Sequence, residues 1–298
     1  MKNHHPLSLL LLSILTASRI DAQDQVKTPK QESTAKKTSH WVVGANYLSN
    51  NVYLGRKDSI VTPYITPSIG YHDKSGFFIS GSVSYLPGNG ENRIDMSTVE
   101  GGYSYASDKF NVDVSAAKDF YSDQSFAVTS EINGRLSASL SYDFGILEPS
   151  LDLGMEFSGT PDIGLGFGLG HSFTIIDDIF ETDPAVHINA ATQNFYANYF
   201  SKRRYSAKRP GGSKTQNIAA GLANASKLQI MDYEFEAPFE YTIKKKLKLN
   251  FTPTLAIPIN PSAVTLSTQT SGNKPATQTA TENLSSTLYF SLGFSYTL

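Results

Sequence analysis

The chain ends in Leu284-Ser285-Ser286-Thr287-Leu288-Tyr289-Phe290-Ser291-Leu292-Gly293-Phe294-Ser295-Tyr296-Thr297-Leu298, an alternation of apolar and polar residues that runs to the terminus. Successive side chains of a strand point to opposite faces. Leu284, Leu288, Phe290, Leu292, Phe294, Tyr296 and Leu298 therefore share one face, broken only by Ser286, and Ser285, Thr287, Tyr289, Ser291, Gly293, Ser295 and Thr297 share the other. Strands of soluble proteins usually stop after about 5–6 residues. A tilted strand needs roughly 9–11 to cross a bilayer. The segment reads as a membrane-crossing strand, greasy toward lipid and small and polar behind.

The same two-residue period recurs along the chain and predicts about twelve strands, near 40–49, 60–71, 76–86, 94–105, 109–120, 132–144, 146–157, 162–175, 184–196, 228–241, 246–258 and 284–298. Phe77, Ile79, Val83 and Tyr85 oppose Phe78, Ser80, Ser82 and Ser84. Ile132, Leu136, Ala138, Leu140 and Tyr142 oppose Asn133, Arg135, Ser137, Ser139 and Ser141, and Leu247, Leu249, Phe251 and Leu255 oppose Lys248, Asn250, Thr252 and Thr254. Tight turns such as His72-Asp73-Lys74-Ser75, Ala106-Ser107-Asp108 and Lys244-Lys245 alternate with longer loops at 50–59, 87–93, 121–131, 197–227 and 259–283. The 176–183 connection is long for the short side, and the 158–161 link is brief for the long side. Tyr47, Tyr71, Tyr85, Tyr103, Tyr105, Tyr121, Tyr142, Tyr241 and Tyr296 gather near strand ends, where an interfacial girdle belongs. Closed barrels and helices are the two backbone solutions for crossing lipid. The fold expected is all-β: a transmembrane antiparallel up-and-down barrel over residues 40–298, with short periplasmic turns and long extracellular loops.

At the other end Lys2, His4 and His5 precede the apolar run Leu7–Leu15, and small residues lead to Ala22, so residues 1–22 read as a cleaved secretory signal. Residues 23–39, rich in Gln, Lys, Thr and Ser without periodicity, read as a flexible periplasmic segment. The chain has no cysteine, which removes disulfides, thiolate metal sites and a lipid-anchored amino terminus. With 25 basic and 27 acidic residues it is slightly acidic and low in net charge.

On these residues the chain resembles a Gram-negative outer-membrane β-barrel protein, porin-like in pattern. The ending with Tyr289, Leu292, Phe294, Tyr296 and Leu298 resembles the carboxy-terminal signal that the barrel-assembly machinery recognises, departing from its usual final Phe at Leu298. The hairpin from Tyr64 to Phe78 resembles those of barrels from Bacteroidota. This resemblance implies residence in the outer membrane, with that membrane's lipid and lipopolysaccharide and the assembly machinery as partners.

The inward-facing set is acidic. Glu100, Asp113, Asp143, Glu148, Asp152, Glu156, Asp232, Glu234, Glu236 and Glu240 outnumber Arg135 and Lys248. A narrow passage lined by one sign of charge concentrates the opposite ion, so an open lumen here would favour small cationic solutes. The competing reading is a filled barrel in which the carboxylates pair with Arg135, Lys248 and loop cations, leaving a closed structural or surface-interaction protein that acts through its loops. Twelve strands lie between the filled eight and the open sixteen. Asp232, Glu234 and Glu236 fall on one face, and a salt-bridged wall with Lys248 is preferred there over a divalent-cation site. In the 197–227 loop, Lys202, Arg203, Arg204, Lys208, Arg209 and Lys214 form a basic run. A solvated loop is its first reading, and contact with lipopolysaccharide phosphates, an anionic solute or the acidic wall its alternatives; nucleic acid is not expected at this location.

No catalytic group, cofactor or metal site is expected. Gly164, Gly166, Gly168 and Gly170 alternate with Leu165, Phe167 and Leu169 in strand register with no helix pattern after them, so a nucleotide loop is rejected and a glycine stripe on the inner wall remains. Outer-membrane phospholipases and lipid A deacylases carry a His-x-Ser pair on one strand face. Here His171 and Ser172 are adjacent and point to opposite faces. A lipid-modifying enzyme is the least supported alternative.

Overall fold

The computed structural model describes residues 38–58, 60–88, 92–200, 217–269 and 276–298; the expected signal at 1–22, most of the segment at 23–39 and the basic run from Lys202 to Lys214 lie outside the described residues. In chain order the elements are β1 (His40–Leu48), β2 (Val52–Tyr53), β3 (Arg56–Lys57), β4 (Tyr64–His72), β5 (Phe77–Leu86), β6 (Arg93–Ala106), β7 (Phe110–Tyr121), β8 (Gly134–Tyr142), β9 (Glu148–Phe157) and β10 (Asp162–Gly170). They continue with β11 (Phe173–Ile176), β12 (Phe180–Thr182), β13 (Ala185–Ala191), α1 (Asn194–Tyr199), β14 (Asn217–Leu222), β15 (Gln229–Glu236), β16 (Phe239–Ile243), β17 (Leu247–Pro258), β18 (Ala263–Gln269), β19 (Ala276–Thr281) and β20 (Thr287–Thr297).

These strands close into an antiparallel barrel of 12 positions. The ring runs β1, β4, β5, β6, β7, β8, β9, β10, β13, β15, β17, β20, and β20 seals it by pairing with β17 on one side and β1 on the other. β15 and β16 are one strand against β17 in unbroken register, Glu236 facing Thr254 and Phe239 facing Phe251. β12 and β13 likewise share one register against it. The interruptions fall at Pro238 and Pro184, where a residue without an N–H leaves a gap in the ladder.

The barrel is inside out relative to a soluble protein. Phe77, Ile79, Leu136, Leu153, Phe167 and Leu292 are exposed on the outer face, while Ser84, Asp152, His187 and Asp232 are buried on the inner one. Lipid removes the penalty for the first set, and the second lines the enclosed inner face, which is the arrangement of a membrane-spanning barrel. Aromatic pairs mark the short-turn end, with Trp41 against Tyr71 (5.2 Å), Phe77 against Tyr103 (5.1 Å) and Tyr142 against Phe144 (4.6 Å). Tyr121 does not join them: its hydroxyl meets Thr129 Oγ1 at 2.9 Å in the following loop.

Several local expectations change. The strand expected over 184–196 stops at Ala191 and gives way to α1. The 176–183 connection is a tight turn between β11 and β12, closed by Ile179 N–H to the Ile176 carbonyl at 3.0 Å. Parts of the expected loops at 197–227 and 259–283 form a three-stranded sheet of β14, β18 and β19. Ile132, expected on the lipid face, precedes β8 and is buried in an apolar cluster at the loop end. Asp143 sits in the turn before β9 and accepts the Gly145 N–H at 2.5 Å rather than facing the lumen.

Candidate functional site

Register assembles the inner wall in rows. Ser139, Asp152, Gly166, Asn189 and Asp232 stand side by side across β8, β9, β10, β13 and β15, and Ser141, Ser150, Gly168, His187 and Glu234 form a second row two residues along. The glycines explain how two such rows fit. A Cβ built on Gly168 would fall 2.5 Å from His187 ring atoms, and one on Gly166 would fall 3.2 Å from Asp152 and Asn189. The stripe makes room for side chains of its flanking strands.

Most of the acidic set lies buried on this wall. Asp232 accepts from Asn189 Nδ2 at 2.9 Å, Glu148 from Ser141 Oγ at 3.0 Å, Glu234 from the Tyr289 hydroxyl at 3.5 Å and Asp113 from Ser104 Oγ. Glu156 receives the Tyr53 hydroxyl, and Asp152 is 1% exposed. Glu100, Glu236 and Glu240 are half-buried toward the short-turn half. Arg135 pairs with Asp119 at 3.2 Å, and Asp119 also accepts from Thr98 Oγ1 at 2.7 Å. Asp119 repeats the inward parity of Asp113 and was legible on that ground, though not singled out.

Lys248 does not build a wall with Asp232, Glu234 and Glu236. β17 meets those residues through Pro258, Ala256 and Thr254, ten to six positions up the strand, and Lys248 Nζ instead binds Glu240 at 2.6 Å. At the carboxy terminus Tyr289 points inward and is buried, while Leu292, Phe294, Tyr296 and Leu298 face outward.

The loop end of the lumen is capped. β2 and β3 form a hairpin whose Tyr53 and Leu54 pack with Phe195, Tyr196, Tyr199 and Phe200 of α1 and its carboxyl end, with Val128 and Ile132, and with Met231 and Val264. Helix α1 is anchored by a residue remote in sequence: Asp162 accepts the Asn194 and Phe195 backbone N–H groups, both at 2.7 Å, as well as Thr192 Oγ1 at 2.6 Å. That arrangement supplies the acceptor that Gln193, at the cap position, does not. Tyr199 donates to Asp58, tying helix to hairpin.

Within the cap Arg56 is 1% exposed. Its Nη1 donates to the carbonyls of Leu54 (2.9 Å) and Met231 (3.1 Å), and its Nη2 to those of Asn260 (3.2 Å) and Ile259 (3.5 Å). Nε lies 3.8 Å from Glu282. Burial pulls the Arg56 pKa down, while Glu282, Tyr196 and Asp232 hold it up. Sequence reading missed Arg56 because a lone arginine in a loop carries no periodic signal.

Solvent reaches the lumen differently at its two ends. Leu48, Tyr64, Ser84, Leu86 and Met96 are buried beneath the cap, whereas Ser68, Ser80, Ser82, Asn250, Ser291, Gly293 and Ser295, toward the short-turn end, are half-exposed. Elsewhere, Ser172 Oγ donates to Asp183, and the His171 ring packs on Phe173 at 4.4 Å. Among the described residues no group of three or more His, Asp or Glu is placed to hold a metal ion.

No protein-family model matches the chain, and no curated protein matches its sequence. Solved structures align with most of it at low identity. The KdgM porin is 9% identical, covering 88% of this chain and 99% of its own with a TM-score of 0.44. The NanC porin is 13% identical over 87% of this chain and 100% of its own, at 0.44. The outer membrane channel DcaP of Acinetobacter baumannii is 12% identical over 89% and 99%, at 0.32.

Proposed function

We propose that this barrel resides in the outer membrane, its short turns in the periplasm and its cap outside, and serves as a narrow porin-like passage that prefers small cationic solutes. The acidic inner wall carries this reading. Asp152, Asp232, Glu234, Glu148 and Glu156 lie within one sector of it, and its cations Arg135 and Lys248 are each engaged by a carboxylate of their own. Ionised carboxylates lining a confined space hold a negative potential that draws cations in and repels anions. The hairpin and α1 pack together at the outer end, so solutes must pass beside them or displace them.

The apolar outer face meets membrane lipid, and the basic run from Lys202 to Lys214 meets lipopolysaccharide phosphates above it. Export by the amino-terminal signal and recognition of the β20 ending by the assembly machinery complete the reading. The interlocked cap favours a second one: a closed barrel that works through its outer surface.

Conductance of the refolded mature chain in a planar bilayer under a salt gradient decides between them. The expected result is a reversal potential of cation-selective sign that collapses toward zero when Asp232→Asn, Glu234→Gln and Glu236→Gln are combined. A folded, heat-modifiable barrel that stays electrically silent would sink the passage.

A further inference from the structure

The Arg56 guanidinium occupies a socket built by its own hairpin and by residues far along the chain. Its four carbonyl acceptors come from residues 54, 231, 259 and 260, and Glu282 and Asp232 supply the negative charge. Only one of those acceptors belongs to the hairpin that delivers the arginine. A planar fork of N–H donors matches such a ring of oxygens, and a buried guanidinium is stable only where it is ringed in this way.

The hairpin that inserts it is poised rather than relaxed. Its two-residue turn places Leu54 at φ 48° and Gly55 at φ 69°, the pattern of a type I′ turn. Leucine has a Cβ that clashes in that region, unlike the Asn or Gly preferred there. Gly55 is required by contact as well, since a Cβ there would lie 2.7 Å from Pro258. The turn is therefore pressed against the barrel wall, and the Arg56 interactions help hold it in place.

We infer that this carbonyl and carboxylate socket is a binding site for guanidinium-bearing solutes, filled here by the chain's own Arg56 as an internal stand-in that keeps the hairpin seated. The inference rests on the reading of the barrel as a passage for cations and names the solute class its outer mouth would recognise. An arriving guanidinium competes with Arg56 for the same oxygens and unseats the cap.

Chemical rescue tests the site without requiring conduction. Arg56→Ala in the full chain, refolded in detergent and checked for folding by heat-modifiable migration, leaves a hole of guanidinium shape. Methylguanidinium should then raise the thermal transition of Arg56→Ala saturably, because a ligand bound only to the folded state stabilises it in proportion to its occupancy. Urea, its uncharged isostere, should leave the transition in place, and the wild type, whose own Arg56 competes for the same oxygens, should need far higher methylguanidinium concentrations to respond. A folded Arg56→Ala barrel indifferent to methylguanidinium overturns the inference. Where Arg56→Ala refolds poorly, refolding yield becomes the readout: restoration by methylguanidinium but not urea supports the site, and no restoration overturns it. Rescue in a barrel that never conducts would keep the socket and discard the passage, whereas conduction without rescue would do the reverse.

Discussion

Gly168 on β10 is the register partner of His187 on β13, and the imidazole together with the Ser150 hydroxyl occupies the space that any side chain at position 168 would need. Gly168→Ala should therefore strain the buried row rather than fill a void. Overpacking of this kind costs about 1–3 kcal/mol. Gly166→Ala, whose built Cβ falls 3.2 Å or more from its neighbours, should cost less. Denaturant unfolding of both variants in one detergent measures the order, and equal stability of the two would contradict the steric account. Adding His187→Ala to Gly168→Ala should recover part of the loss.

The buried pair of Arg135 and Asp119 yields a sharper asymmetry. Both side chains are withdrawn from solvent, and Thr98 alone cannot neutralise Asp119. Arg135→Met leaves an uncompensated carboxylate and should destabilise the barrel by about 3–5 kcal/mol. Combining it with Asp119→Asn should return most of that. A double variant no more stable than Arg135→Met would show that the arginine's contribution does not rest on its pairing with Asp119.

These contacts separate what the sequence states openly from what it hides. The lipid face is written in a two-residue period because every strand must put Leu, Phe, Ile or Val outward, as Leu249, Phe251, Phe290 and Leu292 do. Inward parity likewise carries Asp152, Glu156 and Asp232 to the wall. The cap leaves no such trace. A six-residue helix is too short for its own period to emerge and forms only because Asp162, some thirty residues earlier, satisfies its first N–H groups. Arg56 is fixed by carbonyls up to 204 residues away in the chain, a relation no local window contains. The position of Lys248 is hidden for a related reason: parity places a residue on the correct face but not at the correct height, and height follows from register.

The turn between β16 and β17 offers a stabilising change. Lys246 N–H bonds the Ile243 carbonyl at 3.1 Å, and Lys244 and Lys245 between them both have positive φ, 51° and 59°. Such a type I′ turn favours Asn-Gly, and lysine is strained at both positions. Lys244→Asn with Lys245→Gly should raise stability by about 0.5–2 kcal/mol. The exposed contact of Lys245 with Asp178 at 3.5 Å contributes little in water and its loss should not cancel the gain. An unchanged or lowered unfolding midpoint would refute the strain argument.

Asp73, in the turn between β4 and β5, gives a prediction in pH. The hydroxyl and backbone N–H of Ser75 and the Ser39 hydroxyl all donate to its carboxylate, which holds its pKa down at about 2. A carboxylate whose folded pKa lies below its unfolded value adds stability above the unfolded pKa and loses it as pH falls through the folded one. This turn should therefore stay formed through mild acid and loosen only as pH approaches about 2. Ser75→Ala removes the largest contribution and should move the titration of Asp73, followed by carboxyl carbon shifts in NMR, upward toward the ordinary range near 3.9. A titration midpoint unmoved by that substitution would mean that the hydrogen bonds of this turn do not set the acidity of Asp73.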